Sequence, residues 1–192
     1  MKFRQTWTAI RALLILSCVL GIGYPALVLG IGQAALPAQA NGSLVEVGDA
    51  VVGSSLIGQS FADADGAALP EWFQSRPSAA GYNGAASSGS NYGPSHPDLV
   101  AAIDDRAAAI EQLDGTTEVP GDALTASASG LDPHISPEYA RLQAPRVAQA
   151  RGIPETEVSA LVDSLIQGRD LGYLGEPTVN VLALNIALAK LG

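Results

Sequence analysis

Two histidines are available for chemistry in this chain, His96 and His134, and only the second has company. The densest polar run is Ser127-Ala128-Ser129-Gly130-Leu131-Asp132-Pro133-His134-Ile135-Ser136. Asp132 and His134, two residues apart, are types that ligate a metal or form an acid–base pair. With Ser129 they also supply the residue types of a hydrolytic triad. Two ligands do not complete a metal site, and His96 falls in a different stretch. Ser127-Ala128-Ser129-Gly130 lacks the first glycine of a G-x-S-x-G nucleophile turn, and the chain holds neither a phosphate loop nor a G-x-G-x-x-G turn. The plainer reading is structural: Asp132 and Ser136 hydrogen-bond and cap a strand-to-helix connection, and His134 packs there. Gly172-Tyr173-Leu174-Gly175-Glu176-Pro177 reads as a tight turn opening a helix. Glu176 argues against an anion at that helix start.

The elements that must position these residues follow from periodicity. Residues 43–57 carry Leu44, Val45, Val47, Val51, Val52, Leu56 and Ile57, punctuated by Gly48-Asp49 and Gly53, which predicts two short strands around a turn. A third extended piece is expected at Trp72–Arg76. Residues 77–97, rich in Pro, Gly, Ser, Asn and Tyr, form a long loop whose composition suits an ordered contact surface. A helix follows from Pro97, capped by Ser95, with Leu99, Val100, Ile103, Ala107, Ile110 and Leu113 as its apolar stripe and Gly115 beyond it. Val119 to Ser127 reads as extended. Ser136-Pro137-Glu138 starts a helix that Pro145 interrupts. Another helix runs from Pro154-Glu155 to Ile166 with Gly168 as its cap, and the last spans Val179 to Leu191.

Bulk properties divide the chain in two. It has 192 residues, 15% charged, with mean hydropathy +0.22, and the excess apolarity lies before residue 37. Ala12 to Leu36 is a run of 25 residues without a charge, long enough to span a bilayer core as a helix. Lys2, Arg4 and Arg11 precede it, and no basic residue follows until Arg76. The positive-inside rule therefore places residues 1–11 in the cytoplasm and residues 37–192 outside, with Trp7 in the headgroup belt. Ala38-Gln39-Ala40 resembles a signal-peptidase site, but the apolar run exceeds the ~7–15 residues of a signal h-region, which favours a retained anchor. A lipoprotein reading at Cys18, the only cysteine, is weaker because a long apolar stretch follows it. Gly21, Gly23, Pro25, Gly30, Gly32 and Gln33 make the span unlike a plain tether. The glycines allow close helix approach, and Gln33 can hydrogen-bond across to a partner. Pro25 is expected to kink the span.

Beyond residue 36, the remaining 7 basic residues face all 19 acidic ones, a formal charge of about −12. That charge excludes a nucleic-acid role and repels anionic lipid. Without a disulfide, the outer domain must stand on its core, which its length permits. The predicted architecture is one N-terminal transmembrane α-helix (12–36) followed by an α+β extracytoplasmic domain (37–192), a few strands first and helices after.

At the level of motifs the sequence resembles the C subunit (KdpC) of Kdp-type potassium-transporting ATPases. The matching runs are Gln39–Leu44, Val52–Gln59, Arg76-Pro77-Ser78, Gly89–Pro94, Thr125–Pro137, and Leu174-Gly175-Glu176-Pro177 through Asn180–Asn185, together with Tyr24-Pro25 in the span. Ile166-Gln167-Gly168-Arg169 departs mildly from the family's more acidic pattern. The resemblance argues against cleavage after Ala40 and assigns no catalysis to the histidine cluster. It implies a complex with a potassium-channel-like A subunit, a P-type ATPase B subunit carrying the catalytic residues, and a small F subunit. ATP and potassium would be handled by that complex, with no cofactor bound by this chain. The C subunit's implied role is assembly and a catalytic-chaperone effect on the ATP affinity of the B subunit. Gln59, Asn91, Ser129, Asp132, His134, Ser136, Glu176 and Asn180 become family-motif residues with structural or interface roles. An extracytoplasmic domain could not touch cytoplasmic ATP, so any such effect must pass through the span or the partners. The alternative is an anchored extracytoplasmic hydrolase using Ser129, Asp132 and His134.

Overall fold

The computed structural model describes residues 2–191, which separate into two compact units, one ending at Leu44 and the other beginning at Val45. The first is dominated by a single helical rod, Phe3–Ala35, long and apolar enough to cross a membrane. Its 33 residues rise about 50 Å at ~1.5 Å each, more than a ~30 Å hydrocarbon core requires. The charged first turns can therefore remain outside the apolar layer. None of its apolar window is buried within the chain.

The rod is not uniform. α1 (Lys2–Cys18) passes through a π-helical turn, Val19–Gly23, into α2 (Tyr24–Ala35). The cause is Pro25, which has no N–H and whose ring would collide with the carbonyl four residues back. The Tyr24 N–H reaches five residues back to the Val19 carbonyl, and this wider turn makes room for the ring. Pro25 is thus accommodated in the first turn of α2 by a π-turn. α3 (Pro37–Ala40) follows at once. It lies against α2: a Cβ at Gly32 would meet the Ala40 Cβ at 3.5 Å. The Gln33 and Asn41 carboxamides exchange two hydrogen bonds of 3.2 and 3.1 Å. Gln33 therefore has a partner within its own chain. Gly21 and Gly30 face open space.

The second unit begins with the expected hairpin. β1 (Leu44–Val47, which straddles the unit boundary) pairs with β2 (Ala50–Ser54) around Gly48-Asp49, Gly48 taking φ 62°. The segment expected as a third strand, Trp72–Arg76, joins no ladder. Its backbone is paired by side chains instead. Asn185 accepts from the Phe73 N–H at 3.0 Å and donates to the Phe73 carbonyl at 2.9 Å. Gln143 treats Gln74 the same way, at 2.6 and 3.1 Å. Two buried carboxamides thus do what a neighbouring strand would do, and satisfy groups that would be costly to leave unpaired. Arg146 completes the clamp, donating to the Pro70 and Trp72 carbonyls and to Gln143, with Asp114 2.6 Å from its Nε. Burial raises the Asp114 carboxyl above its ordinary range even with Arg146 beside it.

Helices supply the core. α4 (Pro97–Asp114) is capped by the His96 ring, whose Nδ1 accepts from the Asp98 N–H at 3.2 Å. The cap is one residue later than Ser95, because Pro97 fixes the first helical position. Val100 leaves the expected stripe and is half exposed, while Ile110 is buried and Gly115 closes the helix in the left-handed conformation. The stretch expected to be extended contains a short helix, α5 (Gly121–Leu124), held by Arg106 donating to the Leu124 carbonyl at 2.7 Å. α6 (Pro137–Arg151) runs through Pro145 without a break, because the burial of Ala140, Ala144, Val147 and Ala148 outweighs one lost backbone bond. α7 (Glu155–Ser164) ends at Leu165, not Gly168, where the chain turns into a narrow hairpin. β3 (His134–Ile135) and β4 (Val179–Asn180) form an antiparallel pair, His134 opposite Asn180, and α8 (Val181–Leu188) follows. Phe73, Ile135, Val158, Val162, Leu184 and Leu188 are fully buried at the centre, each contributing about 1.5–3 kcal/mol of burial. The observed α+β order follows the expectation, with β3 and β4 as added two-residue strands among the helices.

Candidate functional site

The polar cluster singled out in the sequence is assembled by two loops, residues 76–90 and 127–132, packed backbone against backbone. Ser78 Oγ donates to the Gly130 carbonyl at 2.6 Å, and Ser87 Oγ to the Ser129 carbonyl at 2.9 Å. The Ser127 N–H reaches the Pro77 carbonyl at 3.1 Å. Tyr82 donates its hydroxyl to the Arg76 carbonyl at 2.6 Å, and burial raises its pKa. Glycine makes the approach feasible: a Cβ at Gly130 would sit 2.6 Å from the Ser88 carbonyl oxygen, and one at Gly89 2.8 Å from that of Ala128. The Gly58 N–H bonds the Leu131 carbonyl at 2.8 Å, and a Cβ there would lie 2.6 Å from the Asp132 oxygen.

Asp132 is the junction of this arrangement. One carboxylate oxygen accepts from the His134 backbone N–H at 3.0 Å and lies 3.5 Å from the ring Nδ1. The other accepts from Arg76 Nη1 at 3.1 Å. The His134 side chain, then its backbone N–H and Arg76, hold the Asp132 carboxyl below its ordinary range against the opposing effect of burial. The expected capping reading is what the geometry displays. Ser136 Oγ accepts from the Tyr139 N–H at 3.0 Å and caps α6, while its N–H and hydroxyl both donate to Asp122, at 2.7 and 2.9 Å.

This arrangement assembles no hydrolytic triad. Ser129 Oγ accepts from the Leu131 N–H at 3.1 Å within its own turn, and no hydrogen bond joins it to His134 among the described residues. Among those residues, no group of three His, Cys, Asp or Glu side chains could hold a metal. His96 is used elsewhere, capping α4 and stacked on Tyr92 with ring centroids 4.5 Å apart. The remaining motif residues scatter. Asn180 caps α8 through the Ala183 N–H at 3.0 Å and donates to the Ser55 carbonyl at 2.9 Å, tying β4 to the segment after β2. Gln59 donates to the Val52 carbonyl at 2.7 Å. Glu176 pairs with Arg169 on the hairpin after α7. Asn91 sits exposed in the long loop with a left-handed backbone, φ 57°.

Sequence reasoning missed Asp122, Gln143 and Asn185. The first lay in a stretch read as extended. The other two carried a usable signal, a polar side chain on the core-facing side of a helix, which is retained only when it is bonded.

The family model described as KdpC, K+-transporting ATPase, c chain, matches residues 6–190. The chain belongs to the KdpC family. Among curated relatives, the "Potassium-transporting ATPase KdpC subunit" of Caulobacter vibrioides (strain NA1000 / CB15N) is 54% identical over 173 residues, covering 88% of this chain and 85% of that protein. The subunit of the same name from Kineococcus radiotolerans is 51% identical over 189 residues, 96% of this chain and 93% of the relative. That of Methylococcus capsulatus is 50% identical, covering 95% of this chain and 96% of the relative. In this KdpC-family chain, Asp132 and the Ser129 carbonyl join the two loops by accepting from Arg76 and Ser87.

Proposed function

We propose that this chain is a membrane-anchored, non-catalytic subunit of an ATP-driven potassium uptake complex, with its acidic domain outside the cell. The carrying observation is the KdpC-family match over residues 6–190, together with a polar cluster whose groups are engaged in holding loops. The unburied helix Phe3–Ala35 supports the anchor, and the basic residues confined to its N-terminal flank support the orientation. Its partners are the channel-like A subunit, the P-type ATPase B subunit and the small F subunit. The chain acts in assembly and, through the span or those partners, on the ATP affinity of the B subunit. Gly21, Gly23 and Gly30 provide the close approach to partner helices. Gly32 and Gln33 serve α3 and Asn41.

The test is co-purification from membranes. Tagged wild-type chain is expected to retain the pore and ATPase subunits, and Gly21→Leu with Gly30→Leu to lose them. The thiol introduced by Ser87→Cys, in a Cys18→Ala background, is expected to react with an impermeant reagent in intact cells. A complex that assembles and transports normally without this chain, or an introduced thiol that stays protected until lysis, overturns the reading.

A further inference from the structure

The hairpin that follows α7 forms a finger tied across at three levels. Gln167 and Thr178 exchange backbone hydrogen bonds of 2.8 and 3.0 Å at its base, and Asp170 and Leu174 exchange two of 2.9 Å near its tip. Arg169 and Glu176 form an ion pair across it. At the end stand Leu171, 81% exposed, Tyr173, 70% exposed, and Leu174, 48% exposed. Leu171 has φ 53°, a left-handed conformation that is strained for an L-residue with a Cβ. Glycine would take that position without strain. The other aromatic or aliphatic residue with a left-handed backbone, Tyr82, is half-buried and bonded through its hydroxyl. Leu171 obtains nothing comparable among the described residues. Strain kept for an outward-pointing apolar side chain, on a hairpin with an internally neutralised stem, is a contact poised for something outside the molecule.

We infer that the tip formed by Leu171, Tyr173 and Leu174 is an anchor that enters an apolar pocket on another protein subunit of the transporter. Charge selects the occupant. A domain with a formal charge of about −12 is repelled by an anionic membrane surface and by a second copy of itself. An exposed tip of one aromatic and two leucines, on a hairpin already closed by its own hydrogen bonds, has the chemistry of an interface hot spot and loses less entropy on docking than a free loop would. Asp170, beside the tip and outside the Arg169–Glu176 pair, calls for a basic or neutral rim on that pocket. This inference rests on the subunit reading above.

The experiment uses the whole complex, purified from membranes through a tag on another subunit. Leu171→Gly with Tyr173→Ser relieves the strained backbone while deleting the anchor, so the chain is expected to accumulate in membranes at the wild-type level. Its retention in the complex is expected to fall about tenfold after washing, whereas Val100→Ser, at a half-exposed position on α4, leaves retention unchanged. A photo-crosslinking residue at position 173 is expected to join this chain to another subunit. Wild-type retention of the double variant, or a crosslink to lipid, to a second copy, or to nothing, overturns the inference. If wild-type chain itself fails to co-purify, it is the subunit reading that falls.

Discussion

Two glycine-rich irregular regions of the α+β domain have opposite fates. The paired loops 76–90 and 127–132 and the finger 166–178 are both rich in glycine. In the first, Gly89 and Gly130 are turned inward, against the Ala128 and Ser88 backbone. In the second, Gly172 and Gly175 take left-handed φ values of 83° and 75° with nothing within 4 Å of where a Cβ would stand, and the large side chains point outward. One region uses glycine to let backbone meet backbone; the other uses it to turn the chain.

The sharpest way to break that contrast is a matched pair of glycine substitutions. Gly130→Ala combines a left-handed backbone (φ 64°) with a Cβ 2.6 Å from the Ser88 oxygen and 2.7 Å from the Ala80 Cβ. It is expected to destabilise the domain by about 3 kcal/mol or more. Gly172→Ala meets only the backbone penalty, about 1 kcal/mol. Chemical denaturation in detergent, followed by tryptophan fluorescence, measures both. Equal losses would erase the distinction between the two regions.

Asp132→Asn tests the junction of the paired loops. It is expected to cost about 1–2 kcal/mol at neutral pH by weakening the charge-assisted bonds from Arg76 and His134. The sign with pH follows from the lowered carboxyl pKa. The carboxylate's contribution is fully present above the unfolded value of about 3.9 and disappears as pH falls through the lower native value. Wild-type and variant stabilities should therefore converge below about pH 4, which denaturation at a series of pH values would reveal. A gap that persists into acid would assign the effect to shape instead of charge.

The smallest expected effect belongs to His134→Ala. The Asp132–His134 backbone bond survives it, and the ring is a third exposed, so the loss is expected near 1 kcal/mol or below. Potassium uptake by cells dependent on the complex should remain. Abolished uptake with an intact fold would return His134 to the list of residues that do chemistry.

Much of this was legible in the order of residues alone. Local rules located β1 and β2 around Gly48-Asp49, the Ser136 cap of α6, the Gly115 stop of α4 and the bilayer-length apolar run, because each depends on neighbours within a few residues. The misreadings have one cause in common. Pro145 lies inside an unbroken helix because α6 is buried along its length, and α5 occupies a stretch read as extended because Arg106, eighteen positions away, takes its last carbonyl. Trp72–Arg76 joins no ladder because Asn185 and Gln143 take the place of a strand. In each, a long-range partner overruled the local preference.

What the sequence by itself determined is the division of this protein: an apolar helix with basic residues on one flank, an acidic α+β domain after it, and motifs dense enough to place it in its family. Those are properties of composition and order, and chain topology cannot change them. Only the tertiary structure decided which groups the polar motif residues bond. Whether Asp132 faces a substrate or an arginine depends on which loop folds against it, and Arg76 is fifty-six positions away along the chain. The same holds for Leu171, whose exposure exists only once a hairpin has formed around it.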